Sequence, residues 1–244
     1  MKVQIASDLH LEFPQNFKFV MENWECLGDV LILAGDVCAW PKIDKYFAFL
    51  GEFAKQYDVI LHIPGNHEYY GMELSDVEDQ LFINRKHINC HLINNSKICI
   101  NKATFICSTL WSQAHPKVEN AIGDYTYVNG MTIDAGNKWH KDSVETVDNL
   151  LGQVKQGYRI MVTHHLPLWD CVSDYFVGNP INSAFVSDQS NLMEKHKIHY
   201  WIHGHSHDYM EKKINGTTFI RNPIGYVHAG ESSRVIRPCV IDLK

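Results

Sequence analysis

Five short apolar runs along the chain each end in side chains of the kinds that bind metal ions. The run at 30–34 reads Val-Leu-Ile-Leu-Ala and is followed directly by Gly35 and Asp36. An unbroken apolar run that stops at a turn residue is typical of a strand buried on both faces of a parallel sheet. Asp36 is therefore expected at the carboxyl edge of a sheet, where ligands bind in α/β proteins.

The other four runs, at 3–6, 59–63, 159–162 and 200–202, end in the same residue types. Their endings hold Asp8 and His10; Asn66, His67 and Glu68; His164 and His165; and His203, His205 and His207. Because the carboxyl ends of parallel strands share one edge, we expect one common site. Asp8 and His10 are two positions apart, which places their side chains on the same side of an extended chain.

In chain order the motifs read Asp-x-His at 8–10, Gly-Asp at 35–36, Gly-Asn-His-Glu at 65–68, a lone His164 and Gly-His-x-His at 204–207. This series resembles the signature of the calcineurin-like metallophosphoesterase superfamily, and the resemblance covers nearly the whole chain. Residues 222–226, Asn-Pro-Ile-Gly-Tyr, are similar to the ending of its small bacterial-type members. The Asp36 motif lacks the Asp-Arg-Gly continuation of the protein Ser/Thr phosphatases, although His67-Glu68 matches that branch.

The resemblance implies an α/β fold with two facing mixed β-sheets flanked by helices, a four-layer sandwich. We expect it to form a single domain over 1–244, since nothing between the motifs reads as a linker. Repeated strand–helix–strand units support parallel pairing with helices outside.

The resemblance also implies a centre of two metal ions that Asp36 bridges. Asp8, His10 and His207 would complete one ion, and Asn66, His164 and His205 the other. Imidazole and oxygen donors without thiolate suit Mn, Fe, Co, Ni or Zn and do not choose among them. In the family a metal-bridged hydroxide attacks phosphorus, and His67 would protonate the leaving oxygen or bind a phosphoryl oxygen.

Three further residues near the motifs have open roles. His165 neighbours the proposed ligand His164, and His203 is expected to be packed behind the site or to support it. Glu68 could orient a neighbouring group or be a surface carboxylate. His62, inside an apolar run, is interpreted as a core residue with a satisfied hydrogen bond.

Charge and cysteine content indicate which partners and which cellular compartment to expect. Twenty-two basic against 28 acidic residues give a net charge of −6 without a basic stripe, which makes nucleic acid an unlikely partner. Seven scattered cysteines and the lack of an apolar leader favour a cytoplasmic protein with no membrane association. The predicted substrate is a small phosphodiester or phosphomonoester. A nuclease and a non-catalytic scaffold remain the alternatives, and the oligomeric state is open.

Apolar periodicity predicts the helices that should cover the sheets. Helical spacing is clearest over 42–57 and 138–156, and shorter helices are expected over 19–24, 74–82 and from an N-cap at Ser187 to Lys195. Asn215-Gly216 predicts a hairpin, and 235–243 is predicted to be the last strand. The segments 111–137 and 166–186 are predicted to be loops that wall the substrate cleft, with Trp111, Tyr125 and Trp169 as candidate contacts.

Overall fold

The computed structural model describes residues 1–73, 76–77, 89–231 and 235–244. The first sheet contains strands β1 (Lys2–Ala6), β2 (Val30–Ala34), β3 (Val59–Ile63), β4 (Cys90–Leu92) and β11 (Val240–Asp242). The second contains β5 (Ser96–Ile100), β6 (Ala103–Ser108), β7 (Tyr158–Thr163), β8 (Tyr200–Ile202), β9 (Met210–Ile214) and β10 (Thr217–Arg221). The strand orders are β11-β1-β2-β3-β4 and β5-β6-β7-β8-β10-β9.

Both sheets are parallel in their centres and antiparallel at edges. The pairs β1–β2, β2–β3 and β3–β4 are parallel in the first sheet, as are β6–β7, β7–β8 and β8–β10 in the second. Strands β11, β5 and β9 pair antiparallel with their neighbours. The parallel centres explain the unbroken apolar runs of the sequence, because strands there are covered on both faces.

Five helices lie among the described residues: α1 (Pro14–Asn23), α2 (Ile43–Phe53), the single turn α3 (Asp124–Tyr127), α4 (Ile133–Gln153) and α5 (Ser190–Lys195). Helices α1 and α2 cover the first sheet, where Val20 and Phe49 join the cluster of Leu31 and Leu33. Helices α4 and α5 cover the second sheet in the same way. The predicted fold of two facing mixed sheets flanked by helices is confirmed.

Alternation along the strands distributes side chains between the layers. In β2, Leu31 and Leu33 face the helices, whereas Val30, Ile32 and Ala34 pack in the cluster between the two sheets. That central cluster takes residues of both sheets, including Phe105 of β6 and Val162 of β7, all fully buried. A dry core between two sheets holds the carboxyl ends of their strands in fixed positions.

Several element boundaries differ from the prediction. Helix α4 begins at Ile133 instead of 138, because Thr132 Oγ1 accepts a hydrogen bond from Ala135 N (3.1 Å) and caps the helix there. Ser187 is not an N-cap: its hydroxyl accepts from Gln113 N (2.6 Å), and α5 begins at Ser190. Helix α1 starts at Pro14, and the last strand spans only Val240–Asp242. Of the helix predicted over 74–82, residues 76–77 are described and are helical, and the rest lies outside the described residues.

The hairpin prediction is confirmed. Asn215 and Gly216 have φ of 47° and 86°, the left-handed pair that a tight two-residue hairpin requires. No helix among the described residues is long and apolar enough to cross a membrane.

Candidate metal centre

The structure brings the predicted metal ligands into two neighbouring clusters. The ligand atoms of Asp8, His10 and His207 lie within 4.8 Å of one another, and so do those of Asp36, His164 and His205. In the first cluster His10 Nε2 is 3.2 Å from His207 Nε2, and Asp8 Oδ1 is 3.6 Å from the same His207 atom. In the second, His164 Nε2 is 3.2 Å from His205 Nδ1.

Asp36 lies between the clusters and directs one oxygen to each. Its Oδ1 is 3.4 Å from His164 Nε2, and its Oδ2 is 3.8 Å from His10 Nε2. Burial opposes ionisation of this carboxyl, but the neighbouring His164 and His67 outweigh it and hold the pKa of Asp36 well below its usual range. A buried carboxylate with two divergent oxygens is the geometry that a bridging ligand needs.

Asn66 completes the second cluster with an amide oxygen. Its Oδ1 is 3.0 Å from His164 Nε2. His164 is fully buried, and its Nδ1 lies 2.9 Å from the carbonyl oxygen of Ala34. Because Nδ1 donates to that carbonyl, Nε2 is left as the atom that faces Asp36 and Asn66.

The ligand loops have unusual backbone conformations. Asp8, His10, Asp36 and His205 have φ of 53°, 46°, 53° and 68°, in the left-handed region that non-glycine residues seldom occupy. The extended geometry predicted for Asp8 and His10 is therefore wrong, although both side chains reach the same cluster. Such backbone strain concentrates at functional sites, where the surrounding fold enforces it.

Two glycines of the motifs are required by close packing within the site. A Cβ on Gly35, whose φ is 88°, would lie 2.1 Å from His164 Nδ1. A Cβ on Gly65 would lie 2.2 Å from Asp36 Oδ1. Both distances are far below van der Waals contact, so each glycine allows a ligand side chain to reach its place.

Glu68 is a buried clamp between two ligand loops. Its Oε2 accepts hydrogen bonds from the backbone N of Asp36 (3.0 Å) and Gly65 (2.6 Å), and its Oε1 accepts from Val37 N (2.7 Å) and Cys38 N (3.1 Å). The interpretation as a surface carboxylate is wrong, and the orienting role is the one that the contacts support. His62, the buried strand residue, places Nε2 3.3 Å from Glu68 Oε1.

His67 lies at the cleft face of the centre with both ring nitrogens engaged. Its Nδ1 is 2.9 Å from Glu12 Oε1, and its Nε2 is 3.3 Å from Tyr226 Oη. Burial disfavours the imidazolium, but the carboxylates of Asp36 and Glu12 outweigh burial and raise the pKa of His67 to about 9. Its Nε2 also lies 3.9 Å from Asp36 Oδ2, next to the point where the two clusters meet.

Glu12 was missed by the sequence reasoning. Its Oε1 lies 3.1 Å from His10 Nδ1 as well as 2.9 Å from His67 Nδ1, so one carboxylate orients a proposed ligand and the proposed catalytic histidine. Burial opposes its ionisation, but the hydrogen bonds from both histidines outweigh burial and lower the pKa of Glu12 to about 2. The available signal was spacing, since Glu12 continues the series of every second residue that begins at Asp8.

Two more carboxylates that sequence reasoning missed contact proposed ligands. Glu231 Oε2 lies 2.6 Å from His207 Nδ1 and also accepts from Tyr226 N (2.8 Å). Asp124 Oδ1 accepts from Asn66 Nδ2 at 2.8 Å, and burial raises the pKa of this carboxyl. Neither residue belongs to a motif, and each reaches the centre from a different loop.

His165 and His203 lie behind the ligands, where both are fully buried. Burial and the neighbouring His164 lower the pKa of His165 to about 3, and its ring packs against Trp111 with centroids 5.1 Å apart. Burial, with a smaller contribution from Arg221, keeps the pKa of His203 well below its usual value. Both rings are therefore packed behind the ligands, as expected for His203.

A cleft of about 380 Å³ opens over the centre. Its walls come from the two predicted loop segments: Ile122 and Asp124 on one side, and Phe176, Ile181 and Phe185 on the other. The aromatic contacts named from sequence are wrong, because Trp111, Tyr125 and Trp169 do not line this cleft. Trp111 is instead buried in the core between Trp139 and His165.

The donor set fits a pair of divalent transition-metal ions. Each cluster combines imidazole nitrogens with a carboxylate, and the cysteines of the described chain belong to neither cluster. Such donors suit Mn, Fe, Co, Ni or Zn. Carboxylates behind His10 and His207, and a carbonyl behind His164, supply the outer hydrogen bonds that ligand histidines require.

Comparisons with known proteins identify the family and the fold. The family model of calcineurin-like phosphoesterases matches residues 1–209. An uncharacterized protein of Acanthamoeba polyphaga mimivirus is 31% identical over 262 residues, covering 93% of this chain and 91% of that protein.

Solved structures share the fold at low sequence identity. A phosphopantetheinyl hydrolase from Mycobacterium tuberculosis superposes with a TM-score of 0.75 at 17% identity, covering 93% of this chain and 90% of that one. A dimetal phosphatase from Danio rerio gives 0.52 at 14% identity, covering 91% and 86%. The structural matches extend the likeness to the whole sandwich, and the family match over 1–209 shows that the chain belongs to the calcineurin-like phosphoesterases.

Proposed function

We propose that the protein hydrolyses small phosphoesters at a centre of two divalent cations bridged by Asp36. The observation that carries the proposal is the position of Asp36 between the clusters, with Oδ1 3.4 Å from His164 Nε2 and Oδ2 3.8 Å from His10 Nε2. Asp8, His10 and His207 would hold one cation, and Asn66, His164 and His205 the other. When bound there, two such cations would lower the pKa of a bound water and offset the negative charge of the phosphoryl oxygens.

The chain's own contribution to the chemistry is orientation and proton transfer. His67 Nδ1 is held by Glu12, which leaves Nε2 directed toward the cleft and Tyr226. An imidazolium in this position donates its Nε2 proton to the leaving oxygen of a phosphoester. Ring packing fixes its plane, because Tyr70 lies against His67 with centroids 4.3 Å apart.

The cleft favours a small ester with an apolar or flat group. Its described lining contains no Lys or Arg, and its outer walls are Ile122, Phe176, Ile181 and Phe185. A protein that binds a nucleic-acid polymer needs several Lys or Arg side chains to contact the phosphate backbone. Apolar walls instead suit a leaving group with a ring or a short chain. These features rank a small phosphoesterase above a nuclease. Every ligand position of the motifs holds a metal-binding residue, and His67 is present, so we rank an enzyme above a scaffold.

Metal loading is the first test of the proposal. Protein treated with a chelator and reconstituted with Mn²⁺ is expected to bind two equivalents, because seven proposed ligands form two clusters that share Asp36. Elemental analysis after gel filtration measures the ratio. A ratio that never exceeds one would reject the two-cation centre.

A substrate panel tests the reaction. The Mn²⁺-loaded protein is expected to cleave aryl phosphodiesters or phosphomonoesters and to cleave long DNA and RNA slowly. The control is the same protein kept in chelator. Salt-sensitive cleavage of long nucleic acid with negligible turnover of small esters would establish the nuclease alternative, and inactivity on every ester would favour the scaffold.

Substrate contact by the apolar wall is tested with Phe176→Ala. Because Phe176 lines the cleft, its loss is expected to raise KM for the preferred ester about tenfold, the equivalent of roughly 1.4 kcal/mol of binding, with unchanged metal content. Trp169→Ala is the matched control, since Trp169 is 53% exposed and does not line the cleft. Equal KM values for both variants would show that Phe176 does not contact the substrate.

A further inference from the structure

Asp124 is a buried carboxylate that contacts the centre from outside every motif. It lies on α3, is 4% exposed, and its Oδ1 accepts two hydrogen bonds, from Asn66 Nδ2 and from Tyr70 Oη, both 2.8 Å long. Asn66 Nδ2 also donates to Tyr70 Oη (3.1 Å). The three side chains form a closed triangle in which Asp124 is the only group that cannot donate when ionised.

This triangle determines which way the Asn66 amide faces. A carboxylate only accepts, and the Tyr70 hydroxyl uses its proton for Asp124, so both partners require the NH₂ group of Asn66 on their side. The amide oxygen must then face His164 Nε2, 3.0 Å away. A rotation of the amide by half a turn would place its oxygen against Asp124 and its NH₂ group toward the cluster, where it could not bind a cation.

The backbone holds Asp124 rigidly against the loop that carries Asn66. Gly71 N donates to Tyr127 O (2.7 Å), and Asn129 N donates to Met72 O (3.1 Å), so α3 and the chain after it are docked on residues 71–72. Both bonds lie just after Tyr70 in one segment and just after Asp124 in the other. The position of the carboxylate is therefore set by the fold and not by the triangle alone.

We infer that Asp124 is a positioning residue for the second cluster, where it fixes the Asn66 amide with its oxygen toward the cation. The inference rests on the proposed two-cation centre. Through Tyr70, whose ring packs on His67, the same carboxylate also holds the catalytic face of the cleft. The segment 111–137, which carries Asp124, thus contributes to metal binding as well as to the cleft wall.

A calorimetric titration of the chelator-treated full-length protein with Mn²⁺ alone tests the inference without any substrate. Asp124→Ala is expected to weaken one of the two equivalents by about 10–100-fold, the usual loss when an outer partner of a ligand is removed, and to leave the other within about threefold. Asp124→Asn keeps an acceptor at Oδ1 and is expected to recover most of the affinity. Tyr70→Phe removes one member of the triangle and should give an intermediate loss.

Glu119→Ala removes an exposed carboxylate from the same loop and is the matched control, with no expected change. Unfolding temperatures of the metal-depleted variants separate positioning from folding. Equal weakening of both equivalents, no weakening, or an Asn variant as poor as the Ala variant would overturn the inference. If Asp124→Ala does not fold, the Asn and Phe variants decide.

A wild type that binds only one equivalent would defeat the two-cation proposal separately. The Asp124 inference would then stand if that single equivalent weakens in Asp124→Ala and recovers in Asp124→Asn, and would otherwise fail.

Discussion

The Asp36→Asn variant is expected to lose hydrolysis of every phosphoester that the wild-type protein cleaves, by at least 10²–10³-fold, the effect of removing one essential electrostatic contact. An amide keeps the shape of the side chain but removes the charge that offsets repulsion between two dications a few ångströms apart. It also presents one oxygen where the carboxylate presents two, toward His164 and His10. At least one equivalent of metal should therefore be lost with the activity.

Metal content and turnover of Asp36→Asn measure this expectation, and circular dichroism shows whether the sandwich still forms. The fold should persist, because Asp36 follows the buried strand β2 and is not part of its core. Asp44→Asn, in the first turn of α2 and on the surface, is the control with normal activity. Near-wild-type turnover with two bound equivalents would show that Asp36 does not bridge.

The strands could be predicted because an apolar run is a local signal, and the ligand residues because their motifs resemble those of a known family. An unbroken apolar run needs no partner to be recognised as a buried strand, and its ending marks a sheet edge. The structure brings all seven predicted ligands together in two clusters, but from the carboxyl ends of strands in two facing sheets and not from the edge of a single sheet. The hairpin at Asn215-Gly216 is equally local, since its two left-handed residues define the turn.

The supporting carboxylates could not be predicted in the same way. Asp124 and Glu231 contact Asn66 and His207 across 58 and 24 residues of chain, so only the tertiary fold makes them neighbours. The prediction of which aromatic residues line the cleft failed for a related reason. Trp111 and Phe176 both lie in polar, irregular segments, and nothing local shows that Trp111 is buried in the core while Phe176 reaches the cleft.

Backbone strain was also invisible from the sequence. Asp8 and His10 were expected to share a side of an extended chain, whereas both are left-handed. Their convergence depends on hydrogen bonds to the segment that follows the neighbouring strand β2: Asp8 N donates to Gly35 O (2.9 Å), and His10 N donates to Asp36 O (2.9 Å). The first motif is therefore shaped by the second, which only the assembled sheet provides.

His67→Ala is expected to keep both equivalents of metal and to lose on the order of 10²–10⁴ in kcat for an ester with a poor leaving group. The imidazole lies against the centre, and its two nitrogens contact Glu12 and Tyr226. His67 is not one of the seven proposed ligands, although it forms a third group of potential ligand atoms with His10 and Glu12. A good leaving group such as p-nitrophenolate departs without a proton, so its kcat should fall much less. His91 of β4 is exposed and belongs to none of the motifs, so His91→Ala is the matched control.

The dependence on leaving group distinguishes proton donation from phosphate binding. If His67 only binds a phosphoryl oxygen, both esters lose the same factor, and the acid role is rejected. Glu12→Gln adds a second measurement, because it leaves His67 in place but removes the carboxylate 2.9 Å from its Nδ1. Without the Glu12 carboxylate, the imidazolium of His67 is less stabilised and less well oriented, but the ring is still present. The kcat for the poor leaving group should therefore fall in Glu12→Gln, by less than in His67→Ala. For the ester with the good leaving group, kcat should fall little in both variants. Its departure does not need the proton that the Glu12–His67 pair holds toward the cleft.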